Sequence, residues 1–300
     1  MKATLAAALA ACAAALLAAQ EPDRQTRTLR SSVEVTVVTA TVRDAEGRLA
    51  TGLPRDAFEI FEDGAAVPVS QFTSERVPLG LGLLLDVSDS MFGRKIRDAQ
   101  GAVERFLLKL LAPSDAFFVM AFNHEPRLLF GWKESPEGVH EALQRLKPTG
   151  STAIYDAISA SMPFLNNRPR ERAALVLITD GEDSASDASL HDLRPSLIRT
   201  DAFVYAIAID TPEPQAIAKK INVGALHDIT GQSGGRTEVI RSTADLDVAT
   251  ASIAEELNSQ YVLGYSSPHP GDGKYHSIRV RVKRDGYKVR ARNGYVAIRR

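Results

Sequence analysis

From Leu81 to Met91 the chain reads Leu-Gly-Leu-Leu-Leu-Asp-Val-Ser-Asp-Ser-Met, an apolar run that stops at a carboxylate. A short apolar run bounded this way predicts a strand buried on both faces, the kind found in parallel sheets covered by helices. The polar cluster then falls at the C-terminal end of the strand, where open α/β sheets place their ligand sites. Asp86, Ser88 and Ser90 alternate there as hard oxygen donors. Such donors suit Mg²⁺, Mn²⁺ or Ca²⁺ rather than zinc or copper.

Apolar strands alternate with helical patterns through the middle of the chain, from Val77 to Ser259. Strands are expected at 81–86, 116–122, 173–179, 202–209 and 237–240, with Arg127 to Trp132 pairing beside the second. Helices are expected at 92–111, 136–146, 153–165, 190–199, within 214–220, and at 244–259. Ser151 or Thr152 is placed to cap the helix at 153, and Gly231 to Gly235 reads as a turn. This alternation predicts a Rossmann-like α/β fold, a doubly wound, mainly parallel sheet.

The flanks have period two instead. Val33, Val35 and Val37 alternate with polar residues, Phe58 to Glu62 runs into an Asp63-Gly64 turn, and Val67 to Phe72 reads as the returning strand. Near the end, Ile278, Val280 and Val282 alternate with Arg279, Arg281 and Lys283, and Lys288 to Val296 is expected to return after Asp285-Gly286. Neither flank is large enough to stand alone. Segments 32–76 and 260–300 are therefore expected to pair into one β-sandwich-like domain, with 77–259 inserted between them.

Residues 1–19 have a positive start at Lys2 and an Ala-rich apolar run, which predicts a Sec-type signal peptide, followed by a polar tether at 20–31. This implies a secreted or periplasmic protein. The single cysteine, Cys12, sits in a lipobox-like Leu-Ala-Ala-Cys context, so lipid anchoring is the alternative. Removal of the leader leaves no thiol and no transmembrane segment in the mature chain. The formal net charge of −1 argues against a nucleic-acid partner held by bulk electrostatics.

Three polar loops carry the chemistry: Asp86-Val87-Ser88-Asp89-Ser90, Thr149-Gly150-Ser151-Thr152 and Thr179-Asp180-Gly181-Glu182-Asp183. Each alone could be a cap or a turn. Their order places all three on one edge of one sheet. Together they resemble the von Willebrand factor A domain and its metal-ion-dependent adhesion site. Asp86, Ser88 and Ser90 match that family's Asp-x-Ser-x-Ser element, Thr152 its second-loop threonine and Asp180 its third-loop aspartate. The flanks, Phe58 to Gly64 and Gln260 to Tyr265, are similar to secreted bacterial proteins called VWFA-related. The resemblance implies Mg²⁺, or Mn²⁺ or Ca²⁺, held by Asp86, Ser88, Ser90, Thr152 and Asp180, and a partner protein whose Asp or Glu completes the shell. Asp89, where many members carry a small residue, and Asp183 are possible auxiliary carboxylates.

Rival readings remain. A metal-dependent hydrolase or phosphoryl-transfer enzyme is disfavoured: position 88 is Ser, no lysine stands near Asp180 in the sequence, and no Gly-x-Ser-x-Gly elbow is present. The six histidines show no metal-ligand spacing. A structural envelope module with a vestigial metal site is the other alternative. The basic strand from Arg279 to Arg292 reads as a solvated face.

Overall fold

Leu79–Asp86 is a strand in which every residue is buried, as its unbroken apolar composition requires. The computed structural model describes residues 35–210 and 222–298. The leader at 1–19 with Cys12, the tether at 20–31, the first residues of the expected β segment and the helix expected within 214–220 lie outside them.

The strands in chain order are β1 (Val35–Arg43), β2 (Phe58–Glu62), β3 (Ala65–Val67), β4 (Gln71–Thr73), β5 (Leu79–Asp86), β6 (Ala116–Phe122), β7 (Pro126–Lys133), β8 (Arg172–Thr179), β9 (Phe203–Ile209), β10 (Thr237–Ile240), β11 (Tyr261–Ser266), β12 (Tyr275–Val282), β13 (Lys288–Ala291) and β14 (Gly294–Val296). The helices are α1 (Arg94–Arg105), α2 (Val139–Gln144), α3 (Ile154–Asn166), α4 (Leu190–Arg199), α5 (Val223–Ser233) and α6 (Thr243–Asn258).

The central six-stranded sheet has the order β10-β9-β8-β5-β6-β7, with only β7 antiparallel to its neighbour. Leu81, Leu83 and Leu85 face one layer, packed with Ile96 and Val103 of α1, Val139 and Leu143 of α2, and Leu246 and Ile253 of α6. Leu84 faces the other, with Ile154 and Ile158 of α3, Leu193 of α4, and Leu226 and Ile229 of α5. Gly82 is required where it stands, because a Cβ there would lie 2.4 Å from the Phe118 ring. This is the mixed α/β, doubly wound architecture that the strand–helix alternation predicts.

Two four-stranded antiparallel sheets, β13-β1-β11-β4 and β14-β12-β2-β3, combine strands from both ends of the chain. Val38, Ile60, Tyr261, Leu263 and Val280 share the core between them. The outer positions of β12 behave as a solvated face: Arg279 and Arg281 flank the Phe61 ring at 4.9 and 4.8 Å, and Arg281 pairs with Glu59 at 2.5 Å.

Several expected elements differ. The strand expected over Val67 to Phe72 is two strands. β3 returns directly on β2, and β4 joins β11 in the other sheet. Pro68 lies at the break and has no N–H to continue a ladder. Lys288 to Val296 likewise divides, β13 pairing with β1 and β14 with β12. The turn expected from Gly231 is instead the last turn of α5, which ends at Gly234 in the left-handed conformation. Burial of Leu226 and Ile229 outweighs the roughly 1 kcal/mol cost of one helical glycine. Among the described residues, no helix is long and apolar enough to cross a membrane.

Candidate functional site

Strands β5 and β8 are neighbours, with Leu85 opposite Ile178, so Asp86 and Thr179 leave the sheet side by side. The chain turns to β6 on one side of β5 and crosses to β8 on the other, so this is the switch point at which open α/β sheets place their ligand sites. Thr179 Oγ1 donates to Asp86 Oδ2 at 2.6 Å, and the Ser88 N–H donates to Oδ1 at 2.8 Å. Burial pushes the Asp86 carboxyl up to about 6, against these hydrogen bonds and with the help of Asp180's charge. A carboxylate in that state gains from any nearby cation.

The first loop continues in a tight turn at Asp89–Met91. The Ser88 and Ser90 hydroxyls stand 3.2 Å apart, and Ser90 donates to Asp180 Oδ1 at 2.7 Å. Two of the three loops therefore meet through side chains. Backbone bonds bring in the remaining loop. The Thr149 N–H donates to Val87 O and the Asp89 N–H to Gly150 O, both at 2.9 Å. The Ser184 and Ala185 N–H groups donate to Thr152 O at 2.8 and 3.0 Å. Gly150 makes this turn at φ +78°, open to glycine without strain.

Thr152 is fully buried, and its hydroxyl has no hydrogen-bond partner among the described residues. Buried hydroxyls are nearly always satisfied. A Cβ added at Gly181 would lie 3.4 Å from that oxygen, so the third loop passes directly against it. Two carboxylates and three hydroxyls, one of them the orphaned buried oxygen of Thr152, at one sheet edge fit a hard divalent cation.

One side chain does something other than what its sequence context suggests. Asp183, expected as an auxiliary metal carboxylate, instead accepts the Ile154 and Tyr155 N–H groups at 2.7 and 3.3 Å. It caps α3, the task expected of Ser151 or Thr152; no side chain of the N-cap position does so. Asp89 presents an exposed side chain beside the two serines.

The absence of a lysine near Asp180 in the sequence does not hold in space. Lys95, in the first turn of α1, lies 8% exposed and ion-pairs with Asp180 Oδ2. Its ammonium is a resident monovalent cation beside the divalent donor set. Thr179, which holds Asp86 in place, is the other residue that motif matching passes over.

Residues 81–182 match the von Willebrand factor type A domain family. The α/β fold of this segment is von Willebrand factor A-like. Domains of this type commonly mediate protein interactions. The chain is similar to a von Willebrand factor type A structure from Catenulispora acidiphila, with TM-score 0.53, 14% identity and coverage of 89% of this chain and 75% of that one. Proximal thread matrix protein 1 from the mussel byssus superposes with TM-score 0.50 and 17% identity over 71% of this chain and 51% of that one. At these identities the likeness is one of fold. In sequence, the chain is 30% identical over 115 residues to the uncharacterized protein sll0103 of Synechocystis sp., covering 37% of this chain and 27% of that protein. It is 25% identical over 133 residues to inter-alpha-trypsin inhibitor heavy chain H2 of Mesocricetus auratus, covering 40% and 14%. The chain thus spans about a quarter or less of these relatives' lengths.

Proposed function

We propose that the protein binds a partner protein through a divalent cation held by Asp86, Ser88, Ser90, Thr152 and Asp180, with Mg²⁺, Mn²⁺ or Ca²⁺ as the ion. The buried, partnerless Thr152 hydroxyl carries this reading, because it stands beside the other oxygen donors where a hard cation would satisfy it. Asp86, fixed by Thr179 and the Ser88 N–H, holds its carboxylate at the C-terminal edge of the sheet. Ser88 and Ser90 supply neutral oxygens, which leave a bound ion incompletely neutralised and still attractive to an acidic side chain. When bound, the cation supplies Lewis acidity towards the partner's Asp or Glu.

We place the protein outside the cytoplasm, secreted or periplasmic, on the composition of residues 1–19. On this reading the strands within 35–76 and 260–298 belong to one β domain that displays the domain inserted between them.

Lys95 supports a second reading, a structural module whose site is satisfied by its own ammonium. Pull-down from the cognate envelope fraction separates the two. Capture of a partner that is lost in EDTA and lost with Asp86→Ala supports cation-bridged binding. Capture that survives both treatments supports the structural module.

A further inference from the structure

Far from Asp86 along the chain, the β2–β3 turn and the loop before β12 bring together Glu62, Asp63, His269 and His276. One ligand atom from each lies within 4.8 Å of all the others. We propose that this cluster is a second metal site, built for a transition dication of the Zn²⁺ class and joining the two ends of the chain.

The donor set is imidazole nitrogen and carboxylate oxygen, which suits zinc-like ions rather than Mg²⁺. Two neutral imidazoles and two carboxylates balance one dication. His276 is buried, with Nδ1 at 2.7 Å from Asp63 Oδ2 and Nε2 at 3.0 Å from Asp272 Oδ1. A histidine whose far nitrogen donates to a carboxylate is oriented as metal-binding histidines are. Asp63 is aimed by its turn, where it adopts φ +48°. The Ser277 N–H and hydroxyl hold its Oδ1 at 2.8 and 3.1 Å, which leaves Oδ2 towards the cluster.

An independent observation concerns Glu62, which is 1% exposed. It accepts hydroxyls from Ser267 at 2.7 Å and Tyr295 at 3.4 Å, and no Lys or Arg among the described residues pairs with it. A buried carboxylate without a cation is costly, so the cluster lacks one positive charge. The His269 and His276 rings also stack in parallel, with centroids 4.6 Å apart and 3° between planes. Two imidazoliums so placed repel, whereas two neutral rings sharing an ion do not.

The test is calorimetric titration of the untagged full chain with ZnCl₂, in an Asp86→Ala background that removes the first site. One zinc per chain is expected, with affinity reduced at least about tenfold by His269→Ala or by Glu62→Gln. His269 is exposed, so its variant keeps the fold even if the Glu62 variant does not. X-ray absorption at the zinc edge should show a nitrogen/oxygen shell with scattering from two imidazoles. Absence of zinc binding, affinity indifferent to His269→Ala, or a shell without imidazole would overturn the proposal.

Discussion

Lys95 and Asp86 together decide how the site around Asp180 behaves. The ammonium of Lys95 sits on Asp180 Oδ2, so an arriving dication meets a carboxylate already half satisfied. Replacing Lys95 by Met removes that competitor. Mg²⁺ affinity measured by calorimetry should then rise about tenfold, a change of about 1.4 kcal/mol. Metal-free stability should fall by roughly 1–3 kcal/mol, because Asp180 loses its partner. Unchanged or weakened Mg²⁺ affinity in Lys95→Met would show that Lys95 does not oppose the ion. The proposed donors Asp86, Ser88 and Ser90 are legible in the sequence because alternation over a short stretch sets them side by side. Lys95 is not legible that way. Its contact depends on how α1 is rotated over the sheet, which is a matter of packing.

At the scale of the element, the second and third loops depend on each other. Helix α3 has no side-chain cap of its own, and its first N–H groups are satisfied by Asp183 and by Ser186 Oγ at 3.1 Å from the Asp156 nitrogen. Asp183→Ala should therefore lower unfolding free energy by about 1–2 kcal/mol in urea titration. It should also loosen Thr152, whose carbonyl the same loop holds. A stability loss near zero would mean that Asp183 is not the cap. Long, strongly periodic elements such as β5, β8, β9 and α6 follow from hydrophobic pattern alone. The short strands do not. β3 and β4, or β13 and β14, read as continuous runs because partner choice between two sheets is decided by contacts distant in the chain.

For the whole molecule, the decisive junction is Glu256 of α6. This carboxylate has no exposed surface and gathers Arg43 of β1 at 3.0 Å, Arg236 at 3.1 Å, Arg290 of β13 and the Tyr205 hydroxyl of β9 at 2.8 Å. It ties the central sheet to strands from both chain ends. Burial raises its pKa, but Arg290, Tyr205 and Arg236 outweigh that and leave it below the ordinary glutamate value of 4.5. Its contribution is therefore present above pH 4.5 and is lost as pH falls below that value through the lower folded pKa. Glu256→Gln removes a buried charge that three half-buried arginines share and should cost about 3–5 kcal/mol at pH 7. The cost should shrink on acidification below 4.5, and a cost independent of pH would contradict it. Pairing of the two chain ends is expected from their small size, but nothing in local pattern marks Glu256 as the residue that joins them to the α/β layers.

If oxygen atoms from three loops enclose one hard cation, calorimetric titration of the full chain with Mg²⁺, beside the Asp86→Ala variant, shows it. Mg²⁺ avoids the His269–His276 cluster, so one Mg²⁺ per chain is expected in the native sequence and none at the same concentrations in the variant, with both unfolding at similar temperatures. Equal Mg²⁺ binding by the two chains, or none by either, would show that the three loops hold no such ion.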